Sequence, residues 1–235
     1  MPSIDFSQTG LLEQRSQYDI TAKLFFLRNT DASERCKYAQ EAVNLVLKQL
    51  HMPSLDLLIV SFPGISFDKS NDCQDAVMGK TVDIAESEDM DIIVKSWQSI
   101  ERLKEQGLAL RIGIAEFGNE RLQSFLPKTR IRPSVDQIST TDICLVPTSL
   151  LEYARQEKID VLTHSDCTNI LPSGTLRELL GTSGKGAGLI LGPDETGTGL
   201  KGDIKPHWVI KYTAVVRDRG VIEDKGYFAM AEIDE

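Results

Sequence analysis

The chain has 235 residues and a formal net charge of −9, from 26 lysines and arginines against 35 aspartates and glutamates. That balance argues against a nucleic-acid surface or an anionic membrane as partner, and no run approaches the ~18 consecutive apolar residues of a bilayer span. Four cysteines (Cys36, Cys73, Cys144 and Cys167) stand at irregular spacing without a CxxC pair, which reads as reduced thiols of a cytoplasmic protein and excludes a disulfide framework or a zinc site.

Residues 19–27 are short, apolar and β-prone, which predicts a buried strand. Ala39, Ala42, Val43, Val46, Leu47 and Leu50 then recur at three- and four-residue steps. They form one stripe of a helix over 33–51. Asp31 and Glu34 have the spacing of a capping box, and Pro53 forbids continuation. The near-continuous apolar run 55–61 suits a parallel strand buried on both faces. Residues 66–91 are acidic and poor in large apolar groups, and read as a loop. A helix follows over 91–106 with Ile93, Trp97, Ile100 and Leu103 on its core face and Gly107 at its end. Next come a strand over 110–115, a short helix over 119–126 and a strand over 134–139. A helix over 147–157, with Ser149 and Glu152 spaced as a second capping box, leads to a strand over 159–163.

Strand and helix alternate with short connections, the pattern of a parallel sheet in an α/β domain. At roughly 150 residues per domain, the length suits one large domain, 1–235. From 171 to 206 the pattern dissolves into a glycine-rich stretch, read as a largely flexible insertion with one short helix over 174–180. Within it, Gly181-Thr182-Ser183-Gly184-Lys185-Gly186 lacks both the spacing and the preceding strand of a phosphate loop. Order resumes with an expected helix over 207–217, a strand over 220–222 and a last extended segment over 227–233.

Residues 97–165 resemble the aldo-keto reductases. The likeness is carried by Leu103-Lys104-Glu105-Gln106-Gly107 before Arg111-Ile112-Gly113-Ile114-Ala115-Glu116-Phe117, and by Arg132-Pro133-Ser134-Val135-Asp136-Gln137-Ile138. It continues through Leu151-Glu152-Tyr153-Ala154 into Ile159-Asp160-Val161-Leu162-Thr163-His164-Ser165. Upstream, Thr21-Ala22-Lys23-Leu24 and residues 55–63 look like that family's third and fourth strands. The resemblance implies a TIM-type (β/α) barrel. Only 22 residues precede Lys23, too few for two complete strand–helix units. About six of the eight strands are therefore expected. The open edge would be covered by the N-terminal arm, the C-terminal segment or a partner.

That family reduces carbonyls with NADPH through a tyrosine acid tuned by a lysine, an aspartate and a histidine, since a proton donor beside the carbonyl needs a cation nearby. Lys23 stands at the lysine's position and Ser61 where the histidine would be. Tyr18 and Asp19 lie inside or against the lysine strand and not in a preceding loop. At the nicotinamide pocket, Ala115-Glu116 replaces a Ser-Asn pair, Gln137 is kept, and His164 replaces a stacking tyrosine. The pattern implies a vestigial site, with no cofactor required. Two readings remain beside it: an NADPH-dependent reductase with a rearranged site, and an NADPH-binding sensor without turnover. For Lys23 the structural alternative is a lysine paired with a buried carboxylate, for which Asp56 is the candidate.

A narrower resemblance is to the regulatory subunits of glutamate–cysteine ligase, a noncatalytic branch of the same fold. Its carriers are Ala22-Lys23-Leu24-Phe25, Cys144-Leu145-Val146-Pro147, Leu162-Thr163-His164-Ser165-Asp166 and residues 219–227. It implies a heterodimer with the catalytic subunit, which joins glutamate and cysteine using ATP. It also implies better glutamate binding and weaker feedback inhibition by glutathione. Cys144 is a candidate for an intersubunit disulfide, against an inert thiol. Trp208, Lys211, Arg217, Arg219, Lys225 and Tyr227 form a local basic patch on an acidic chain, a candidate docking surface against the alternative of an ordinary solvated helix. His164, Asp166 and Cys167 do not make a metal site in a chain with three histidines.

Overall fold

The strand–helix alternation builds a curled sheet in a computed structural model that describes residues 10–28, 30–67, 88–140, 146–166, 169–182, 186–192 and 197–234. The elements in order are β1 (Tyr18–Phe26), α1 (Arg35–Leu50), β2 (Leu55–Ser61), α2 (Met90–Glu105), β3 (Ala109–Ala115), α3 (Asn119–Phe125) and β4 (Val135–Ser139). They are followed by α4 (Thr148–Gln156), β5 (Asp160–His164), α5 (Thr175–Leu180), β6 (Asp203–Val216) and β7 (Val221–Asp234). The sheet has seven strands in the order β5-β4-β3-β2-β1-β6-β7. Strands β1 to β5 run parallel, and β6 and β7 form an antiparallel hairpin on the β1 edge.

Each strand has two different faces because side chains alternate along it. Tyr18, Ile20, Ala22, Leu24 and Phe26 of β1 join one core with the apolar stripes of α1 (Ala42, Val43, Val46, Leu50) and α2 (Ile93, Trp97, Ile100, Leu103). That core is the helix face of the sheet. Trp97 anchors it, packing edge-on against Phe125 while its indole N–H donates to the carbonyl of Ile131 at 2.9 Å. On the opposite face, Leu57, Ile59, Ala115 and Val135 form a separate small cluster. Gly113 lies among them, and a Cβ there would stand 2.9 Å from the carbonyl oxygen of Val135. Only glycine lets β3 and β4 approach so closely.

The family-type α/β architecture is present, as an incomplete barrel. Two expectations need correction, and a third is decided among its alternatives. Residues 207–217 are strand, not helix: Trp208, Ile210, Tyr212, Ala214 and Val216 alternate buried along β6 and pack on the helix-face core, a period of two that a helix cannot use. The segment 220–222 then becomes the start of β7, antiparallel to β6, so the described residues contain five parallel barrel strands and not six. Of the three candidates to cover the open edge of β1, the C-terminal hairpin does so.

Neither capping box forms. Asp31 accepts from the backbone and hydroxyl of Ser33, and Glu34 makes no side-chain cap. Ser149 lies inside α4, whose first turn follows Pro147. The acidic segment 66–91 falls largely outside the described residues. Within 171–206, the described residues form α5, two isolated parallel bridges, Gly181 to Ile190 and Ile190 to Leu200, and from Asp203 the start of β6.

Candidate functional site

The register sets one row of side chains across the face opposite the helices. Tyr227, Lys211, Lys23, Ile59, Gly113, Val135 and Asp160 are successive in-register partners from β7 to β5. One row further toward the C-terminal ends of the parallel strands stand Phe25 beside Ser61, and Ala115 beside Gln137 and Leu162. Beyond them are Glu116, just after β3, and His164, the last residue of β5. The C-terminal ends of parallel strands are where α/β folds place their ligand sites.

The side chains on this face are tied to one another. Lys23, 5% exposed, holds its ammonium 3.1 Å from Asp166 Oδ2 and 5.0 Å from the Phe25 ring centre. Lys211 contacts the other oxygen of Asp166 at 2.6 Å. The backbone N–H of Asp166 donates to His164 Nδ1 at 3.1 Å, so the ring proton resides on Nε2 and is donated to Glu116 Oε1 at 2.5 Å. Glu116 Oε2 accepts from the N–H of Phe67 at 3.0 Å. Glu116 itself has φ +68, a left-handed conformation that costs a side-chain-bearing residue about 1–2 kcal/mol.

The electrostatics follow from burial and pairing. Burial pushes the Lys23 ammonium below the ordinary lysine value, and the charge and hydrogen bond of Asp166 restore only part of it. Burial alone would raise Asp166, but its bonds to Lys211 and Lys23 hold it below the usual carboxylate range. Lys211 is raised by the same hydrogen bond. Behind the site, Asp136 is fully buried on the helix face and pushed well above the ordinary carboxyl value, chiefly by loss of water. Its Oδ1 accepts from the Phe117 N–H at 3.3 Å, and its Oδ2 has no hydrogen-bond partner among the described residues.

Lys23, Gln137 and His164 thus share one face, with Ser61 beside Phe25. Lys23 is paired with Asp166; Asp56, the carboxylate named above, instead bonds Arg15 and Arg217 at 2.6 Å each. Tyr18 is five residues from Lys23 and so faces the other side, where its hydroxyl accepts from the N–H of Glu13 and donates to Glu223 at 3.0 Å. Asp19 shares the lysine's face but sits four residues away, about 13 Å along the strand. Trp208 is wholly buried, which removes it from any docking surface. Lys211, Arg217 and Arg219 are engaged by Asp166, Asp56 and Glu13, while Tyr227 is 60% exposed and Lys225 is exposed beside it. Cys144 lies outside the described residues, as do Cys73 and Cys167; Cys36 is an exposed free thiol. Asp166 was part of a matched run, but nothing in the sequence marked it as the partner of Lys23, 143 residues away.

Comparison with known proteins agrees with this architecture. The Aldo/keto reductase family matches residues 8–179, and the chain belongs to that family. The mouse glutamate–cysteine ligase regulatory subunit is 24% identical over 220 residues, covering 94% of this chain and 68% of its own length. The human subunit is 23% identical over 225 residues, with the same shares. A Schizosaccharomyces pombe protein named, provisionally, as the same subunit is 28% identical over 229 residues, 94% of this chain and 74% of its own. Among solved structures, a Bombyx mori aldo-keto reductase in complex with NADP is 22% identical and covers 62% of this chain and 40% of its own, with a TM-score of 0.41.

The arrangement can be tested against a nicotinamide cofactor. Glu116 and His164, which stand where the resemblance would seat the ring, are hydrogen-bonded to each other, and the Asp166 N–H is bonded to His164. Lys23, the one member of the catalytic set at its expected position, spends its charge on Asp166. Among the described residues no cluster of histidine, cysteine and carboxylates suits a metal ion, and no helix is long and apolar enough to cross a membrane.

Proposed function

We propose that this chain is a noncatalytic regulatory subunit that forms a heterodimer with the catalytic subunit of glutamate–cysteine ligase in the cytoplasm. In that role it improves glutamate binding and relieves feedback inhibition by glutathione. The observation that carries this reading is the alignment of nearly the whole chain with the mouse and human regulatory subunits. The geometry supports it from the other side, because Tyr18, the tyrosine nearest Lys23 in sequence, faces away from it and is bonded to Glu13 and Glu223. Regulation of this kind is a coupling free energy: the subunit contacts the active and inhibited states of its partner unequally.

Docking is assigned to the exposed edge strand β7, where Val221, Ile222 and Tyr227 are more than half exposed beside Lys225. Edge strands of this length offer unpaired backbone groups that a partner covers. Co-expression with the catalytic subunit tests the reading through complex formation, glutamate KM and glutathione inhibition. Tyr227→Ala is expected to weaken the complex without changing the fold. No complex, with both constants unmoved, refutes the reading.

A second reading has one observation in its favour. Tyr227 stands next to Lys211 on the face that holds Lys23, which is a tyrosine–lysine pair of the type a rearranged NADPH-dependent reductase needs. Turnover of small aldehydes with NADPH that disappears in both Tyr227→Phe and Lys23→Met would favour it. Binding of NADPH without turnover would favour a sensor.

A further inference from the structure

Lys23 and Lys211 are direct cross-strand partners on one face of adjacent antiparallel strands. Two ammonium groups in that relation repel, and one of them is nearly excluded from water. Such a pair is tolerable only with an anion between its members. The anion present comes from far away in the fold. In the sheet order, β5 is four strands from β1 and five from β6. At about 4.8 Å per strand, that is roughly 19 and 24 Å along a flat sheet. Asp166 follows the end of β5 by two residues, yet gives one oxygen to each lysine at 3.1 and 2.6 Å. The sheet is therefore curled, and residues 164–166 cross its concave face.

That crossing is fastened at several points. His164 is bonded to Glu116, Glu116 to the backbone of Phe67, and the Asp166 N–H to His164. The same face carries the apolar cluster of Leu57, Ile59, Ala115 and Val135, at most 8% exposed. The strap places a carboxylate on the two ammonium groups.

We infer that Lys23 and Lys211 form a receptor for a small carboxylate ligand, and that Asp166 is a tethered occupant which keeps the receptor closed. A free carboxylate competes with Asp166, and when it wins, residues 164–166 leave the concave face. The competition is set by effective concentration: a side chain tethered by a short segment acts at millimolar levels or above, so a monocarboxylate must reach that range to displace it. A dicarboxylate that satisfies both ammonium groups displaces it at lower concentration. The depressed Asp166 carboxyl and raised Lys211 ammonium agree with an ion pair that is charged over the whole neutral range. The inference is independent of the ligase reading, since it concerns this chain alone.

Succinate and acetate serve as probes, with sodium chloride at matched ionic strength as the control, on the full chain. Amide hydrogen exchange reports the strap. Succinate at tens of millimolar is expected to speed exchange at Leu162, Thr163, His164 and Asp166 at least tenfold more than chloride does, with β1 and β2 unchanged. Asp166→Asn keeps the size and the backbone bond but removes the tethered charge, and should bind succinate at least tenfold more tightly by calorimetry. Equal affinity of Asp166→Asn and wild type, in a variant that remains folded, overturns the proposal. If that variant does not fold, Lys211→Met decides. It retains the Lys23–Asp166 pair but lacks half the receptor, so its strap should no longer respond to succinate beyond chloride. A response unchanged from wild type overturns the proposal, as does a wild-type strap indifferent to succinate.

Discussion

The Lys23–Asp166 pair makes a prediction whose sign separates burial from attraction. Asp166→Ala removes the carboxylate and leaves a 5%-exposed ammonium facing a second one. Breaking a buried pair on one side costs about 3–5 kcal/mol, because the remaining charge is uncompensated. For a chain of this size, a loss of that order lowers Tm by roughly 6–20 °C. Lys23→Met is the opposite case. It fills the same space with an unbranched apolar chain and removes the desolvation cost that lowers the lysine's pKa, while Asp166 keeps its 2.6 Å bond to the half-exposed Lys211. Its expected effect is within about 1 kcal/mol of wild type.

The double variant, lacking both charges, should recover most of the loss of Asp166→Ala. The pH dependence follows from the lowered Lys23 pKa. Above the ordinary lysine value the amine is neutral in both states and burial carries no charge penalty; the penalty grows as pH falls from there and is complete only below the lowered folded pKa. Removing Asp166 lowers the folded pKa further, so the deficit of Asp166→Ala relative to wild type should shrink as pH rises from 7 toward 10. Urea unfolding at several pH values reads all of this. Equal destabilisation by the two single variants, or a larger loss in Lys23→Met, refutes the reasoning.

Asp136 is raised by burial, so its folded form contributes stability that is complete below pH 3.8 and is lost as pH rises through its folded pKa. Asp136→Asn, which keeps an acceptor for the Phe117 N–H, should raise the urea midpoint at pH 7 and lose that advantage near pH 4; a lower midpoint at pH 7 contradicts this. Gly113→Ala forces a methyl to 2.9 Å from the Val135 carbonyl, and overpacking of this kind costs about 1–3 kcal/mol, measurable as a lower Tm; an unchanged Tm would mean that β3 and β4 can part freely. Lys158 has φ +59 just beyond α4, so Lys158→Gly should stabilise by about 0.5–1 kcal/mol, and a loss of stability would show that its backbone is not strained.

The parallel half of the fold was legible because its signals are local. The runs at 19–27 and 55–61 and the stripe from Ala39 to Leu50 each state their own period. The hairpin was misread for a physical reason. Trp208, Val209, Ile210, Tyr212, Thr213 and Val215 are β-branched or aromatic and favour a strand, but the repeating strand–helix order made a helix the expected next element. The candidate site was legible only as positions. Lys23, Gln137 and His164 could be named from their runs, whereas the carboxylate that neutralises Lys23 comes from the other end of the sheet. Which of two aspartates a lysine meets depends on how far the sheet curls, and no local pattern encodes that. Asp56 is taken by Arg15 and Arg217 at the opposite ends of the strands, beside the N–H of Ile20. The basic patch is thinned for a related reason: Trp208 is buried and Lys211, Arg217 and Arg219 are paired with Asp166, Asp56 and Glu13, leaving Lys225 and Tyr227 on the exposed edge.

The most direct test of the proposed role is reconstitution with the glutamate–cysteine ligase catalytic subunit, followed by size-exclusion chromatography and kinetics on the same sample. A one-to-one complex with a lower glutamate KM and weaker inhibition by glutathione is the predicted result. Two separate peaks, with kinetic constants equal to those of the catalytic subunit alone, would contradict it.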